Sequence, residues 1–226
     1  MGIIDSNTDF AEWENRKWDE LTEQEKDQVA YRMAVYAAQV HCVDYNIGKL
    51  IDCLKKNHKM DNTLILFMSD NGACAEPYEE LGGGKVEEVN NPASSFAPTY
   101  GRAWAQVSNT PFRKYKCRAY EGGISTPLIL SWKGALGNKK GKWCRVPGYL
   151  PDIMPTILEA TGAKYPETYH GGNKIYPLVG SSLFLLSIRK RTPCMNICIG
   201  SIRTTERSAG EIGRLSVMKR QGMGTV

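Results

Sequence analysis

Thr63-Leu64-Ile65-Leu66-Phe67-Met68-Ser69-Asp70-Asn71-Gly72-Ala73 is the stretch whose reading decides the fold. Leu64 to Met68 are consecutive large apolar residues, as in a strand of a parallel sheet buried on both faces by helices. The run stops at Ser69, and Asp70, Asn71 and Gly72 follow. In an open α/β sheet ligands bind beyond the carboxyl ends of strands, where this Asp-Asn pair falls. Asp70 offers a carboxylate and Asn71 an amide carbonyl, hard oxygens of the kind Ca²⁺ or Mg²⁺ takes. Gly72 is expected to turn the backbone so that neighbouring side chains converge on one ion. Asp-Asn-Gly is also a good turn after any strand, so these residues alone leave both readings open.

Working outward, Thr22 with Glu25 reads as a capping box. Apolar residues recur at Val29, Met33, Tyr36, Val40, Val43, Ile47, Leu50 or Ile51, and Leu54, one face of a helix over roughly 23–57. Lys55, Lys56 and His58 suit its C-terminus, and His41 reads as a polar-face residue. A turn at Asp61-Asn62 leads into the apolar strand, giving half of a βαβ unit. Residues 75–110 show little periodicity and read as a long functional loop. In it, Ala97 to Gly101 and Trp104 suggest an irregular wall over a site. Leu81-Gly82-Gly83-Gly84-Lys85 lacks the spacing and preceding strand of a phosphate loop. Arg113, Lys114 and Lys116 beside Gly122-Gly123 read either as charge presented to an anion or as a solvated basic loop. Leu128 to Trp132 reads as a second buried strand. Tyr149 to Thr161 reads as a short helix stopped by Gly162.

Composition narrows the class. The 226 residues are long enough for one sizeable core or two small ones. No apolar run approaches the ~18 residues of a membrane span, and Met1 to Asp5 lack the basic and apolar regions of a signal peptide. Seven cysteines include no Cys-x-x-Cys pair. The net charge of +5 suggests a nucleic-acid partner until it is divided. Residues 187–226 hold 8 Lys/Arg against 2 Asp/Glu, and the remaining body is close to neutral. That tail has no aromatic residue for stacking on bases, so neither a nucleic-acid nor a membrane partner is expected.

Together, Ser69-Asp70-Asn71-Gly72, Asn109-Thr110-Pro111-Phe112-Arg113 with Lys116, and Glu121-Gly122-Gly123-Ile124-Ser125-Thr126-Pro127-Leu128-Ile129 resemble the arylsulfatases of the formylglycine-dependent sulfatase family. Asn46 to Ile51 and Asp152 to Leu158 look like further parts of the same pattern. The resemblance covers most of residues 18–185. It implies an α/β fold, a partial alkaline-phosphatase-like sandwich with a mostly parallel sheet flanked by helices. It implies Asp70 and Asn71 as ligands of the Ca²⁺ that holds the substrate sulfate, and Lys116 as the lysine contacting the sulfate oxygens. The implied substrate is a small-molecule or glycan sulfate ester. Tyr120 stands where some members carry His before Glu-Gly-Gly. The family's full-length members are often periplasmic or secreted.

The family's nucleophile, a cysteine in Cys-x-Pro/Ala-x-Arg converted to formylglycine, has no counterpart among Cys42, Cys53, Cys74, Cys117, Cys144, Cys194 and Cys198. The expectation is therefore the C-terminal half of a catalytic domain over 1–186, incomplete as a sheet and inactive alone. A phosphoryl-transfer relative of the same fold and a non-catalytic remnant are the alternative readings. Residues 187–226 are expected to be an out-of-frame tail without a stable fold. A Trp-Glu-His-Gln-Asp-Asn-Arg-Ala-Val segment, which the resemblance implies there, becomes Gly200 to Ser208 when one choice of its codons is read a nucleotide later.

Overall fold

The computed structural model describes residues 7–91, 93, 98–136, 141, 144, 147–169 and 171–184, so the expectation for 187–226 lies outside the described residues. The chain divides after Gly134 into two compact units.

In the first unit, α1 spans Glu23–Lys56, about 50 Å of helix, with its ends where the sequence places them. The Thr22 hydroxyl accepts from the Glu25 amide at 3.2 Å, and the Glu25 carboxylate accepts from the Thr22 amide at 2.9 Å. Two otherwise orphaned donors are thereby satisfied. Only Val29 and Arg32 of this helix are buried. Val40, Val43 and Leu50 on the apolar face stand exposed. Periodicity specifies that a face exists; what covers it depends on other segments, and here Ile47, Ile51 and Leu54 are only half-buried.

A strand, β1 (Ile65–Met68), follows α1. Two short helices come next, α2 (Gly101–Ser108) and α3 (Glu121–Ile124), and then β2 (Leu128–Ser131). The sheet of the described residues corrects the expected topology. It has two strands, β1 and β2, and they run antiparallel, pairing Ile65 with Ser131 and Met68 with Leu128. The mostly parallel sheet is not seen. An apolar run tells how well a strand suits a covered face and carries no information on the direction of its neighbour. Nor are both faces covered: the cross-strand partners Phe67 and Ile129 are 50% and 59% exposed.

The unbroken loop expected over 75–110 is also corrected, because α2 lies within it. Eight residues with one apolar turn are too short for periodicity to register, yet Ala105 is fully buried and Gln106 nearly so. The core of the unit is formed by Ala75, Ala105 and Tyr115, with Ala73, Tyr78 and Tyr100 packed against it. The Trp104 indole N–H donates to the Val29 carbonyl at 2.9 Å, and its ring meets Trp18 at 6.5 Å. Tyr100 stacks on Tyr36 at 4.8 Å. These contacts fix the first third of α1 to α2.

Residues 11–16, polar and without a period, are held as a strap over α2. The buried amide of Gln106 donates to the Glu12 carbonyl at 2.7 Å and accepts from Asn15 Nδ2 at 2.6 Å. Arg32 is 5% exposed. Its guanidinium donates to the carbonyls of Gly83, Thr99 and Gly84 at 2.7, 2.6 and 2.7 Å. The Gly82-Gly83-Gly84 run thus presents carbonyls to a cation, the opposite polarity from a phosphate loop.

In the second unit α4 (Ile153–Thr161) begins after a 3₁₀ turn, Leu150–Asp152, and ends at Gly162 in the left-handed region. Asp152 is buried. It accepts from the Tyr149 amide at 3.0 Å and the Ser181 amide at 2.8 Å. The fully buried Thr156 hydroxyl donates to the Asp152 carbonyl and accepts from the Leu183 amide. This Asp-x-x-x-Thr spacing is a structural staple that joins the helix start to residues 181–183.

Candidate functional site

Ser69 to Ala73 leave β1 as a tight turn. The Ser69 hydroxyl donates to the Asn71 carbonyl at 2.7 Å, and the Thr126 hydroxyl donates to the Ser69 carbonyl at 2.8 Å. Asp70 is exposed and Asn71 half-buried. Asn71 Nδ2 donates to Asp70 Oδ1 at 2.6 Å, which fixes the two side chains side by side. Gly72 is needed here for space. Its φ is not in the positive range, but a Cβ there would overlap the Gly122 carbonyl oxygen. Gly122 in turn has no room for a Cβ against the Lys114 and Arg113 carbonyls. The Gly72 amide donates to the Gly123 carbonyl at 3.0 Å. Two glycine turns therefore meet backbone to backbone.

Lys116 enters the same region through its main chain, its amide donating to the Ala73 carbonyl at 3.0 Å. Asn109 links the two loops a second time, accepting from the Ala73 amide at 3.0 Å and donating to the Lys114 carbonyl at 3.2 Å. Sequence reasoning gave Asn109 no role of its own; its signal was only a place beside Thr110-Pro111. The Lys116 ammonium donates to Glu76 Oε2 at 2.9 Å and lies 3.8 Å from Cys74 Sγ. Glu76 was not singled out from the sequence either, being one acid in an aperiodic stretch. The ammonium of Lys116 holds the Glu76 carboxyl below its usual range, and the Glu76 carboxylate raises the Lys116 pKa.

The other cations of the loop are paired within the fold. Arg113 donates to Glu14 Oε1 at 3.0 Å and Lys114 pairs with Glu14 Oε2. Lys114 foremost, with Arg113, holds the Glu14 carboxyl low. Neither Arg113 nor Lys114 is presented to an anion as the sequence suggested. The Arg113 guanidinium also lies over the Tyr120 ring at 5.1 Å. A cleft of about 240 Å³ opens beside Glu76 and Cys74, with Pro98, Thr99 and Tyr100 on one side and Arg32, Val35 and Tyr36 on the other. Of the residues expected to form a wall, Pro98 to Tyr100 line this cleft, Trp104 packs on Val29 and Trp18 instead, and Ala97 lies outside the described residues. Burial pushes the Tyr100 hydroxyl up to about 12. A broader groove on α1, lined by Val43 and Ile47 among others, touches none of these residues.

The donor chemistry fits a hard cation in kind. Asp70 and Asn71 bring carboxylate and amide oxygens to one exposed turn, held in place by their mutual hydrogen bond. They are too few to complete a shell of six to eight oxygens. Among the described residues no group of three or more His, Cys, Asp or Glu is placed to hold a metal.

The sequence profile of the sulfatase family matches residues 6–163. The chain belongs to the sulfatase family. The profile spans both glycine turns, Lys116 and α4, and places the chain in the alkaline-phosphatase-like superfamily. Among its relatives are an uncharacterised sulfatase of Schizosaccharomyces pombe, 36% identical over 78% of this chain and 34% of the relative, and the arylsulfatase of Klebsiella aerogenes, 32% identical over 84% of this chain and 42% of the relative. Human steryl-sulfatase is 32% identical over 59% of this chain and 19% of its own length. The sulfatase chain thus spans well under half the length of each. No described helix is long and apolar enough to cross a membrane.

Proposed function

We propose that this chain carries part of a sulfuric-ester-hydrolysing centre. In it, Asp70 and Asn71 supply part of a Ca²⁺ shell and Lys116 contacts the sulfate oxygens of a small-molecule or glycan sulfate ester. The reading is supported above all by the bond from the Lys116 amide to the Ala73 carbonyl, which ties the lysine to the Asp70-Asn71 turn in a member of the sulfatase family. Bound at that turn, Ca²⁺ would supply positive charge to the sulfate oxygens.

This chain's own residues position and polarise. The Lys116 ammonium is charged at neutral pH, as lysine ordinarily is, and the Glu76 carboxylate raises its pKa further, so it can donate to developing negative charge. Asn109 and the two glycine turns hold its backbone against the metal turn, so that both groups are oriented before substrate arrives. The sequence contains no Cys-x-Pro/Ala-x-Arg, and no nucleophilic step is assigned to these residues. We infer that the chain corresponds to the C-terminal half of a sulfatase catalytic domain and does not turn over substrate by itself.

Ca²⁺ titration followed through the backbone amide resonances tests the metal turn. The expected response is a weak, roughly millimolar transition, confined to residues 69–73 and abolished in Asp70→Ala. A response centred on other acidic residues, and unchanged by that substitution, would remove Asp70 and Asn71 from the site.

A further inference from the structure

Cys74 and Cys117 are separated by 43 positions in the chain, yet both thiols reach one carboxylate. Cys74 Sγ donates to Glu76 Oε2 at 3.5 Å, and Cys117 Sγ donates to Glu76 Oε1 at 3.8 Å. The Lys116 ammonium donates to the same Oε2 at 2.9 Å. The two segments are already joined beside the thiols by the Lys116 amide and the Ala73 carbonyl. Both cysteines are free; Cys74 is exposed and Cys117 half-buried. Cys117 also sits at a φ of 66°, in the left-handed region that penalises any residue with a Cβ. Such a residue at such a conformation is a prompt to ask what the side chain does.

We propose that Cys74 and Cys117 are a thiol–disulfide exchange site, whose closure withdraws Glu76 from Lys116. The co-reactant is a low-molecular-weight disulfide such as oxidised glutathione. Cys74, the more exposed, loses its proton to solvent, and its thiolate attacks one sulfur of the co-reactant, expelling one glutathione thiolate. Cys117 gives its proton to the expelled glutathione thiolate, and its own thiolate then attacks the Cys74 sulfur of the mixed disulfide and expels the second. Two protein thiols and one disulfide become one protein disulfide and two glutathione thiols. Bond formation needs the sulfurs side by side at about 2 Å, so the Glu76 carboxylate, whose Oε2 and Oε1 the two thiols now touch, must shift. It also loses both S–H donors. The Lys116 ammonium is left without its acidic partner, and its positive charge becomes available to an external anion. The pairing stands whatever Lys116 binds; the consequence for sulfate rests on the reading given above.

The test treats the folded chain with excess oxidised glutathione, blocks remaining thiols and maps the cysteines by mass spectrometry. The expected product has lost two hydrogens and yields a Cys74–Cys117 cross-linked peptide. Two separate glutathione adducts on these residues, or pairing of either with another cysteine, overturns the proposal. A trivalent arsenical tests the juxtaposition without redox chemistry: it bridges Cys74 and Cys117 in the unmodified chain, and failure to bridge them contradicts the geometry. Lys116 acylation by an amine-selective reagent reads the consequence. It should become several-fold faster on oxidation of the unmodified chain and not respond in Cys74→Ser. An unchanged rate in the oxidised chain sinks the displacement of Glu76, independently of any sulfate or Ca²⁺ binding.

Discussion

Gly122 lies directly against Gly72: its carbonyl oxygen fills the volume that a side chain on Gly72 would need. Through that contact the turn bearing Asp70 and Asn71 lies against the loop bearing Lys116. A single methyl group should therefore separate the two loops. Gly72→Ala is expected to destabilise the first unit by about 3 kcal/mol, the upper range for overpacking against rigid backbone, as read by urea denaturation.

Arg32 is a buried cation whose partners are main-chain carbonyls. Burial lowers its pKa, but its guanidinium stays protonated at any ordinary pH. Arg32→Leu removes the guanidinium donor from the carbonyls of Gly84 and Thr99 and leaves the Gly83 carbonyl with the Thr99 amide alone. The expected loss is about 3 kcal/mol, from bonds to a charged group and stranded acceptors. Arg32→Lys should recover only part of it, because an ammonium cannot reproduce the planar fork. Equal stability of the leucine and native chains would contradict this account of the Gly82–Gly84 loop.

Glu14 predicts the acid behaviour of the strap. Its carboxyl is held below the ordinary value by Lys114 and Arg113. Its contribution is thus complete above the unfolded carboxylate pKa and is lost as pH falls through the lower folded value. Thermal midpoints between about pH 7 and about pH 3 should fall on acidification, and less steeply in Glu14→Gln. Identical slopes for the two chains would remove Glu14 from the strap's stability.

Thr22→Ala removes the acceptor that caps α1. A loss of about 1 kcal/mol is expected, with helical circular dichroism reduced at elevated temperature.

The sequence made some of these features legible and hid others for identifiable reasons. The start and end of α1 were readable because Thr22 with Glu25 and the Lys55-Lys56 turn are local signals. Gly162 worked in the same way for α4. The antiparallel pairing of β1 with β2 was not, since it is a relation between segments 60 residues apart. Helix α2 was hidden by its shortness and by the polar Arg102 and Gln106, whose buried roles depend on the strap. Asp70, Asn71 and Lys116 stood out through the order of their motifs. Glu76 and Asn109, which hold Lys116 and its loop, could not, because their importance lies in what folds against them.

The most direct measurement of the central claim is the affinity of the chain for 4-nitrophenyl sulfate in the presence of Ca²⁺, by calorimetry or ligand-observed NMR, with turnover monitored in the same samples. The account predicts weak binding without hydrolysis, reduced about tenfold in Lys116→Ala, equivalent to about 1.4 kcal/mol, and reduced again in Asp70→Ala. Binding that is equally strong in all three chains would contradict the assignment of Asp70, Asn71 and Lys116 to a sulfate site.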